Sequence, residues 1–366
     1  MKVLLTGSAG FLGWHTRLRL HAQGEHDVTV VTRDTWAQLP TLVANADAVI
    51  HIAGVNRGTD EEVAEGNIAL AEDVAAAVRA ADRPVRVVYA NSIQDGNGTP
   101  YGIGKARGAE LLSCLRDEGN WFVDVRLPNI FGEHGRPRYN SFVATFVHAV
   151  AAGETPQVTD RRVELLHVQG AAQSLIDALT TERGRVDPNG TEVGVADVLN
   201  LLLEFEASYA TGEFPDLSTP FRIDLFNTYR AALFPQRYPI ALRPNSDARG
   251  TFVETVRCRG GEGQSSFSTT VPGVTRGEHY HLSKIERFAV VQGSATIALR
   301  RMFHHDVTEF RVSGDAPCAV DMPVGWVHNI TNTGEDVLVP QFWSHELFRP
   351  EAPDTFSHPV QQETRA

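Results

Sequence analysis

Cysteine is scarce in this chain: three among 366 residues, at Cys114, Cys258 and Cys318. An odd, widely scattered set cannot form the disulfide framework of a small secreted domain, and it suits a reducing compartment. Long apolar runs are missing too, and none reaches the roughly 18 residues of a membrane-spanning helix. The chain opens directly on the strand-like "KVLL", with no cleavage signature, so no secretory signal and a cytoplasmic location are expected. Basic residues are outnumbered, 33 against 45 acidic, giving a net charge of −12. That balance argues against a nucleic-acid partner, although a local pocket in an acidic protein can still hold phosphates. There is no internal repeat and no low-complexity tract beyond a polar tail from Gln361 to Ala366. The remaining composition, 42% hydrophobic and 21% charged, is that of a globular protein too long for one core, so two domains are expected.

Two textures succeed one another along the chain. Over the first 130 or so residues, short apolar runs ("KVLLTG", "DVTVVTR", "DAVIHIAGV", "VRVVYANS", "WFVDVRLPNIFG") alternate with helical segments such as "EGNIALAEDVAAAVRAA". Each run reads as a buried strand, and the alternation predicts a parallel sheet covered on both faces. From about residue 133 to 243 the pattern loosens, which suits a substrate lobe built on that sheet. "YPIALRPNSDARG" is rich in turn residues and marks the expected boundary. Beyond it come short alternating segments ("SSFSTTV", "FAVVQGSATIALR", "VTEFRV", "DVLVPQFW") broken by Gly, Asn and Asp turns. The expectation is therefore α/β plus all-β: a doubly wound domain over 1–243 and a β-barrel domain over 244–366.

Gly7, Gly10 and Gly13 space as G-x-x-G-x-x-G after the first strand. Glycine there permits a tight turn and a close backbone approach, so a pyrophosphate can sit at a helix N-terminus. The candidate cofactor-binding backbone is thus Gly7, Ala9, Gly10, Phe11, Leu12 and Gly13. The second strand runs into Thr32-Arg33-Asp34. Arg33 favours the 2′-phosphate of NADPH, while Asp34 keeps NAD open. Further on, Tyr101 and Lys105 stand four apart, so both face the same way on a helix. An ammonium beside a phenol stabilises the phenolate, so a lowered Tyr101 pKa is expected. Ser92 ends the preceding strand and can hydrogen-bond the same substrate oxygen.

These residues resemble the extended, nucleotide-sugar-modifying type of short-chain dehydrogenase/reductase, in which "HIAGVNR" and "RLPNIFG" also fall in order. The resemblance implies catalytic Ser92, Tyr101 and Lys105, further cofactor contacts at Ala53, Gly54, Tyr101 and Lys105, and a substrate contact at Asn129. One departure is informative. Members acting as 4,6-dehydratases usually carry an acid pair after the serine or threonine, where this chain has Ile93 and Gln94. Net reduction of a ketone is favoured over elimination.

In the second half, Gly273, His279, His281, Glu286 and Gly293 fit G-x5-H-x-H-x4-E-x6-G, and Pro323, Gly325, His328 and Asn332 fit P-x-G-x2-H-x3-N. Both frames resemble the cupin family, with Pro317 standing where the second frame normally opens with glycine. Residues two apart on a strand share a face, so His279 and His281 can grip one ion. Glu286 and His328 complete a set that suits zinc, with other divalent ions open. "DARGTFVE", from Asp247 to Glu254, resembles the entry segment of cupins that epimerise deoxysugar nucleotides. No cupin base is named by the sequence; Tyr280, His304 and His305 are the candidates.

A reductase joined to a metal cupin resembles the bifunctional capsular-polysaccharide enzymes called CapF, end to end ("ANSIQ", "RPRYNSFVATF", "VELLHV", "GEHYH", "PVGWVHNI"). That resemblance implies a homodimer acting on UDP-2-acetamido-2,6-dideoxy-L-arabino-hex-4-ulose. The cupin would invert C3 and the reductase would then reduce the C4 ketone with NADPH. Two other readings stand beside it: a 4-ketosugar reductase whose cupin only dimerises or binds, and a sugar-nucleotide sensor that turns nothing over. The intact Ser92, Tyr101 and Lys105 set argues against the sensor.

Overall fold

The structure, a computed structural model, describes residues 1–159, 161–182 and 184–361; the polar tail therefore lies outside the described residues except at Gln361. By packing, the chain divides into two compact units. The first comprises Met1–Phe131, Arg138–Ser141 and Arg161–Gly194; the second holds Gly132–Pro137, Phe142–Asp160 and Val195–Ala366.

The first unit carries β1 (Lys2–Thr6), α1 (Phe11–Gln23), β2 (Asp27–Val31), α2 (Leu39–Ala44), β3 (Ala48–His51), α3 (Asp60–Arg79), β4 (Arg86–Ser92) and α4 (Pro100–Ser113). After α4 come β5 (Trp121–Leu127) and β6 (Asn129–Phe131), then, beyond α5 (Phe142–Ala151) of the other unit, β7 (Arg162–His167), α6 (Val168–Asp177), β8 (Arg185–Val186) and β9 (Thr191–Gly194). Six strands form one all-parallel sheet in the order β2-β1-β3-β4-β5-β8. Successive residues of β1 point to opposite faces. Val3 and Leu5 join the core against Leu20 of α1 and Leu175 of α6, while Leu4 joins Val74, Val78 and Leu112 of α3 and α4. The inner strands β1, β3 and β4, covered on both sides, are largely apolar, which is why they read as nearly unbroken runs.

Two local features place the chemistry. Helix α3 starts on a reciprocal cap: Glu62 N–H donates to Thr59 Oγ1 (3.2 Å) and Thr59 N–H to Glu62 Oε2 (2.7 Å). Helix α4 opens with Pro100 behind the Thr99 cap, whose hydroxyl accepts from Gly102 N–H (3.1 Å). "WFVDVRLPNIFG" reads as one strand but forms two. Pro128 has no N–H to continue the ladder, so β5 ends at Leu127 and β6 pairs instead with β7 in a three-stranded sheet with β9.

The second unit contains α5, α7 (Val195–Tyr209), β10 (Phe214–Asp216), α8 (Pro220–Leu233), β11 (Ile240–Ala241), β12 (Pro244–Asp247), β13 (Gly250–Val253), β14 (Cys258–Gly260) and β15 (Gln264–Phe267). It continues with β16 (Thr275–Tyr280), β17 (Glu286–Gln292), β18 (Ser294–Arg301), β19 (Val307–Ser313), β20 (Cys318–Met322), β21 (Trp326–Asn332), β22 (Val339–Ser344) and β23 (Phe356–Ser357). Two antiparallel five-stranded sheets dominate, β11-β20-β17-β22-β15 and β19-β18-β21-β16-β23.

By packing, residues 195–243 fall with the antiparallel strands in the second unit. Helices α5, α7 and α8 cluster with the antiparallel strands, not with the parallel sheet. A buried ion pair supplies one reason. Arg287 of β17 meets Asp321 of β20 through two contacts, Nε–Oδ1 at 2.6 Å and Nη2–Oδ2 at 2.9 Å. Asp321 also accepts the Tyr209 hydroxyl of α7, which lies 2.7 Å from the Tyr238 hydroxyl. Arg287 spans the gap further, donating to Gly212 O at 2.8 Å and lying over the Phe214 ring. A charge pair withdrawn from water holds only while every partner is present, so these bonds tie α7 to the sheet.

Candidate active site and metal centre

In the first unit the glycine turn is tight. Gly7 has φ of 69°, and a Cβ on Gly13 would lie 2.0 Å from Gly7 O. Only glycine fits that contact. Gly10 caps α1 with no side-chain bond, and the first turn has no acidic residue, so its N–H groups and the positive helix end stay open to an anion. Thr6 Oγ1 accepts from Ile52 and Ala53 N–H (3.1 and 3.2 Å), setting the loop that carries Ala53 and Gly54 beside this turn. Asn67 of α3 fixes the next residue, donating to Val55 O at 2.7 Å and accepting from Val55 N–H at 3.2 Å. Strand β2 ends at Val31, and Arg33 and Asp34 lie exposed in the turn beyond it.

Ser92 ends β4, and Tyr101 and Lys105 occupy the first turns of α4. Ser92 Oγ accepts from Gln94 N–H at 3.1 Å, which leaves its own proton to donate. The Lys105 amine is buried, donates to Ala90 O at 2.7 Å, and lies 4.4 Å from the Tyr89 ring centre and 5.9 Å from that of Tyr101. Burial lowers the Lys105 pKa to about 8, against the pull of Asp124 and Asp95. Those two carboxylates escaped the sequence reading. Asp124 sits on β5 beside Tyr89, and Asn91 Nδ2 donates to Asp95 at 2.8 Å. Tyr101 is half-buried, and its desolvation raises the phenol to about 12, opposite in direction to the expected lowering. Asn129 is exposed, and its Nδ2 donates to Glu164 O at 3.2 Å.

In the second unit, His279 and His328 come from adjacent strands, while Glu286 begins a strand of the other sheet. Donor atoms of His279, His281, Glu286 and His328 all lie within 4.8 Å of one another. Glu286 Oε2 is 3.8, 3.2 and 3.3 Å from Nε2 of His279, His281 and His328, and the Nε2 atoms of His279 and His328 are 3.2 Å apart. Ligands about 2.0–2.1 Å from a tetrahedral ion are themselves roughly 3.3 Å apart, so the set fits a zinc-sized cation. The tautomers fit as well. His281 Nδ1 donates to Asp354 O (2.5 Å) and His328 Nδ1 to Trp326 O (3.1 Å), turning both Nε2 lone pairs inward. Burial pushes His328 down to about 4, keeping it neutral. Burial alone would raise Glu286, but its closeness to the His279, His281 and His328 rings outweighs it and holds the carboxylate ionised. His281 and His328 are buried, whereas the His279 and Glu286 side chains are 20% and 17% exposed, so the cluster opens on their side.

Neither His304 nor His305 is among these clustered ligands. Tyr280, the last residue of β16, follows His279 and so points to the opposite face, where it is buried near Phe356. His304 and His305 lie exposed in the turn after β18.

Residues 3–194 match the NAD dependent epimerase/dehydratase family, and residues 245–356 match the polysaccharide biosynthesis C-terminal domain. The chain belongs to that epimerase/dehydratase family and, over its full length, to the CapF-type capsular polysaccharide enzymes. It is 34% identical to the UDP-2-acetamido-2,6-beta-L-arabino-hexul-4-ose reductase of Pseudomonas aeruginosa, across 98% of each chain. It is 33% identical to the crystal structure of the capsular polysaccharide assembling protein CapF from Staphylococcus aureus, with a TM-score of 0.63 over 98% of this chain and 100% of that one. The spore coat polysaccharide biosynthesis protein SpsL of Bacillus subtilis is 28% identical over 132 residues, 34% of this chain and 87% of its own. No helix among the described residues is long and apolar enough to cross a membrane.

Proposed function

We propose that this chain is a bifunctional nucleotide-sugar enzyme of the cytoplasm, working as a homodimer. Its substrate is UDP-2-acetamido-2,6-dideoxy-L-arabino-hex-4-ulose. The second unit, a metal cupin, inverts C3, and the first unit then reduces the C4 ketone to give UDP-2-acetamido-2,6-dideoxy-L-talose, on the route to N-acetyl-L-fucosamine. The observation that carries this reading is that one chain holds both a Ser92, Tyr101, Lys105 set and a converging His279, His281, Glu286, His328 set. The Pseudomonas aeruginosa relative, named as a reductase of such a 4-ketosugar, supports the substrate class.

In the reductase, NADPH supplies the hydride. The open start of α1 would hold the pyrophosphate, and Arg33 would serve a 2′-phosphate. Ser92 donates to the C4 oxygen and orients it. Tyr101, protonated to about pH 12, gives its proton to that oxygen as hydride reaches C4. Lys105 holds the nicotinamide ribose and, as a cation, offsets the charge left on Tyr101. In the cupin, His279, His281, Glu286 and His328 would hold a zinc ion, which when bound would supply Lewis acidity toward a carbonyl oxygen. The exposed edges of His279 and Glu286 admit the sugar to that side. Chemistry fixes the order. A C–H beside a ketone loses its proton because the charge spreads to oxygen, and once C4 is an alcohol that route is closed.

The test is turnover in heavy water with NADPH and candidate UDP-4-keto-6-deoxy sugars, monitored by NMR. Deuterium at C3 together with reduction at C4 is expected; NADPH oxidation by no such ketone would overturn the proposal. A second expectation concerns pH. Lys105, lowered to about 8 by burial, is charged below that value and neutral above it. Tyr101 does not titrate in this range, so kcat/KM for reduction should fall above about pH 8, roughly tenfold per unit. A profile flat to pH 10 would exclude a required Lys105 cation.

A further inference from the structure

Two of the four metal ligands, His281 and Glu286, flank a single link, Leu282–Ile285. That link has no sheet pairing of its own, so its backbone groups need partners elsewhere. One residue of the β22–β23 connection meets three of its four N–H groups. The Asp354 carboxylate accepts three successive N–H groups, from Leu282 on Oδ1 (2.9 Å) and from Ser283 and Lys284 on Oδ2 (2.9 and 2.7 Å). The Asp354 carbonyl accepts from His281 Nδ1. From the other side, Asn227 of α8 donates to Ser283 O at 2.7 Å, and Ile285 N–H donates to His345 Nδ1 at 3.0 Å.

From this arrangement we propose that Asp354 is a positioning residue for the metal centre. Its carboxylate sets the turn that separates His281 from Glu286, and its main chain selects the His281 tautomer, so both ligands face one point. Asp354 sits at φ of 41°, in the left-handed region that aspartate, asparagine and glycine tolerate best. Glycine at this position therefore keeps the main-chain path and deletes only the carboxylate. Asparagine also keeps the path, but offers one acceptor oxygen to three donors. This inference rests on the metal reading above.

The experiment measures zinc affinity of the full-length chain by competition with a chromophoric chelator. It compares wild type, Asp354→Gly and Asp354→Asn, and tracks zinc-free thermal unfolding in parallel. Partners of this kind usually change metal affinity 10–100-fold. Asp354→Gly is expected to weaken zinc binding by about that range, with Asp354→Asn between it and wild type. Cobalt substituted for zinc should show an altered visible spectrum in both variants, a signature that a change in fold stability alone does not produce. NADPH binding, in the other unit, should be unchanged. Wild-type zinc affinity in both variants, with zinc bound by wild type, would overturn the role of Asp354 and leave the metal reading standing. Failure of wild type itself to bind zinc would overturn both. Should Asp354→Gly not fold, Asp354→Asn decides alone: zinc affinity equal to wild type rejects the proposal.

Discussion

Replacing Tyr101 with phenylalanine is expected to slow ketone reduction by about 10²–10⁴-fold, the usual worth of a positioned proton donor. The substitution removes one oxygen and leaves a ring of nearly the same shape on the first turn of α4, so the fold and the open start of α1 should survive it. Burial raises the Tyr101 pKa to about 12, which makes the residue a standing donor at neutral pH and not a phenolate. That state suits reduction, where a proton must be delivered as hydride arrives. The loss should therefore fall on kcat, with NADPH affinity, read by fluorescence titration, within about a factor of three of wild type. Reduction at the normal rate would remove Tyr101 from the chemistry. A loss confined to NADPH affinity would make it a binding residue only.

Motifs defined by short spacing were legible in the sequence because local geometry makes them. The glycine turn is a strand end meeting a helix start, Tyr101 and Lys105 are one helical turn apart, and His279 and His281 stand two apart at the end of β16. The parallel sheet was legible because burial on both faces leaves apolar runs that need no partner to be recognised. Properties that depend on distant partners were not. Helices α7 and α8 join the antiparallel strands through contacts such as Tyr209 to Asp321 and Asn227 to Ser283, which no local pattern encodes. A turn-rich stretch at 243 and 244 marks where the texture changes, yet packing groups residues 195–243 with the antiparallel strands. Asp354 is more than 70 residues beyond the His281 it positions, inside "EAPDTF", which looks like a plain loop. The Tyr101 pKa was misjudged for a related reason. Spacing reports that an ammonium is near, but the degree of burial, which decides the sign, belongs to the whole unit.

Loss of His279 should separate the two proposed activities. His279 is the most exposed of the three histidine ligands, so alanine there opens the cluster without hollowing a core. Three donors would remain, and zinc affinity should fall by well over tenfold. When the C3 proton leaves, negative charge develops on the C4 oxygen, and a cation held by the three histidines and the glutamate would meet it. Exchange of the C3 hydrogen with heavy water should therefore drop below detection in His279→Ala, and likewise in wild type stripped by chelator, returning in wild type when zinc is restored. Reduction should persist, because Ser92, Tyr101 and Lys105 lie in the other unit. A substrate already inverted at C3 should be consumed with NADPH at close to the wild-type rate, while the uninverted ketone accumulates or is reduced slowly to the wrong epimer. C3 exchange that continues undiminished without metal would assign the ion a purely structural part.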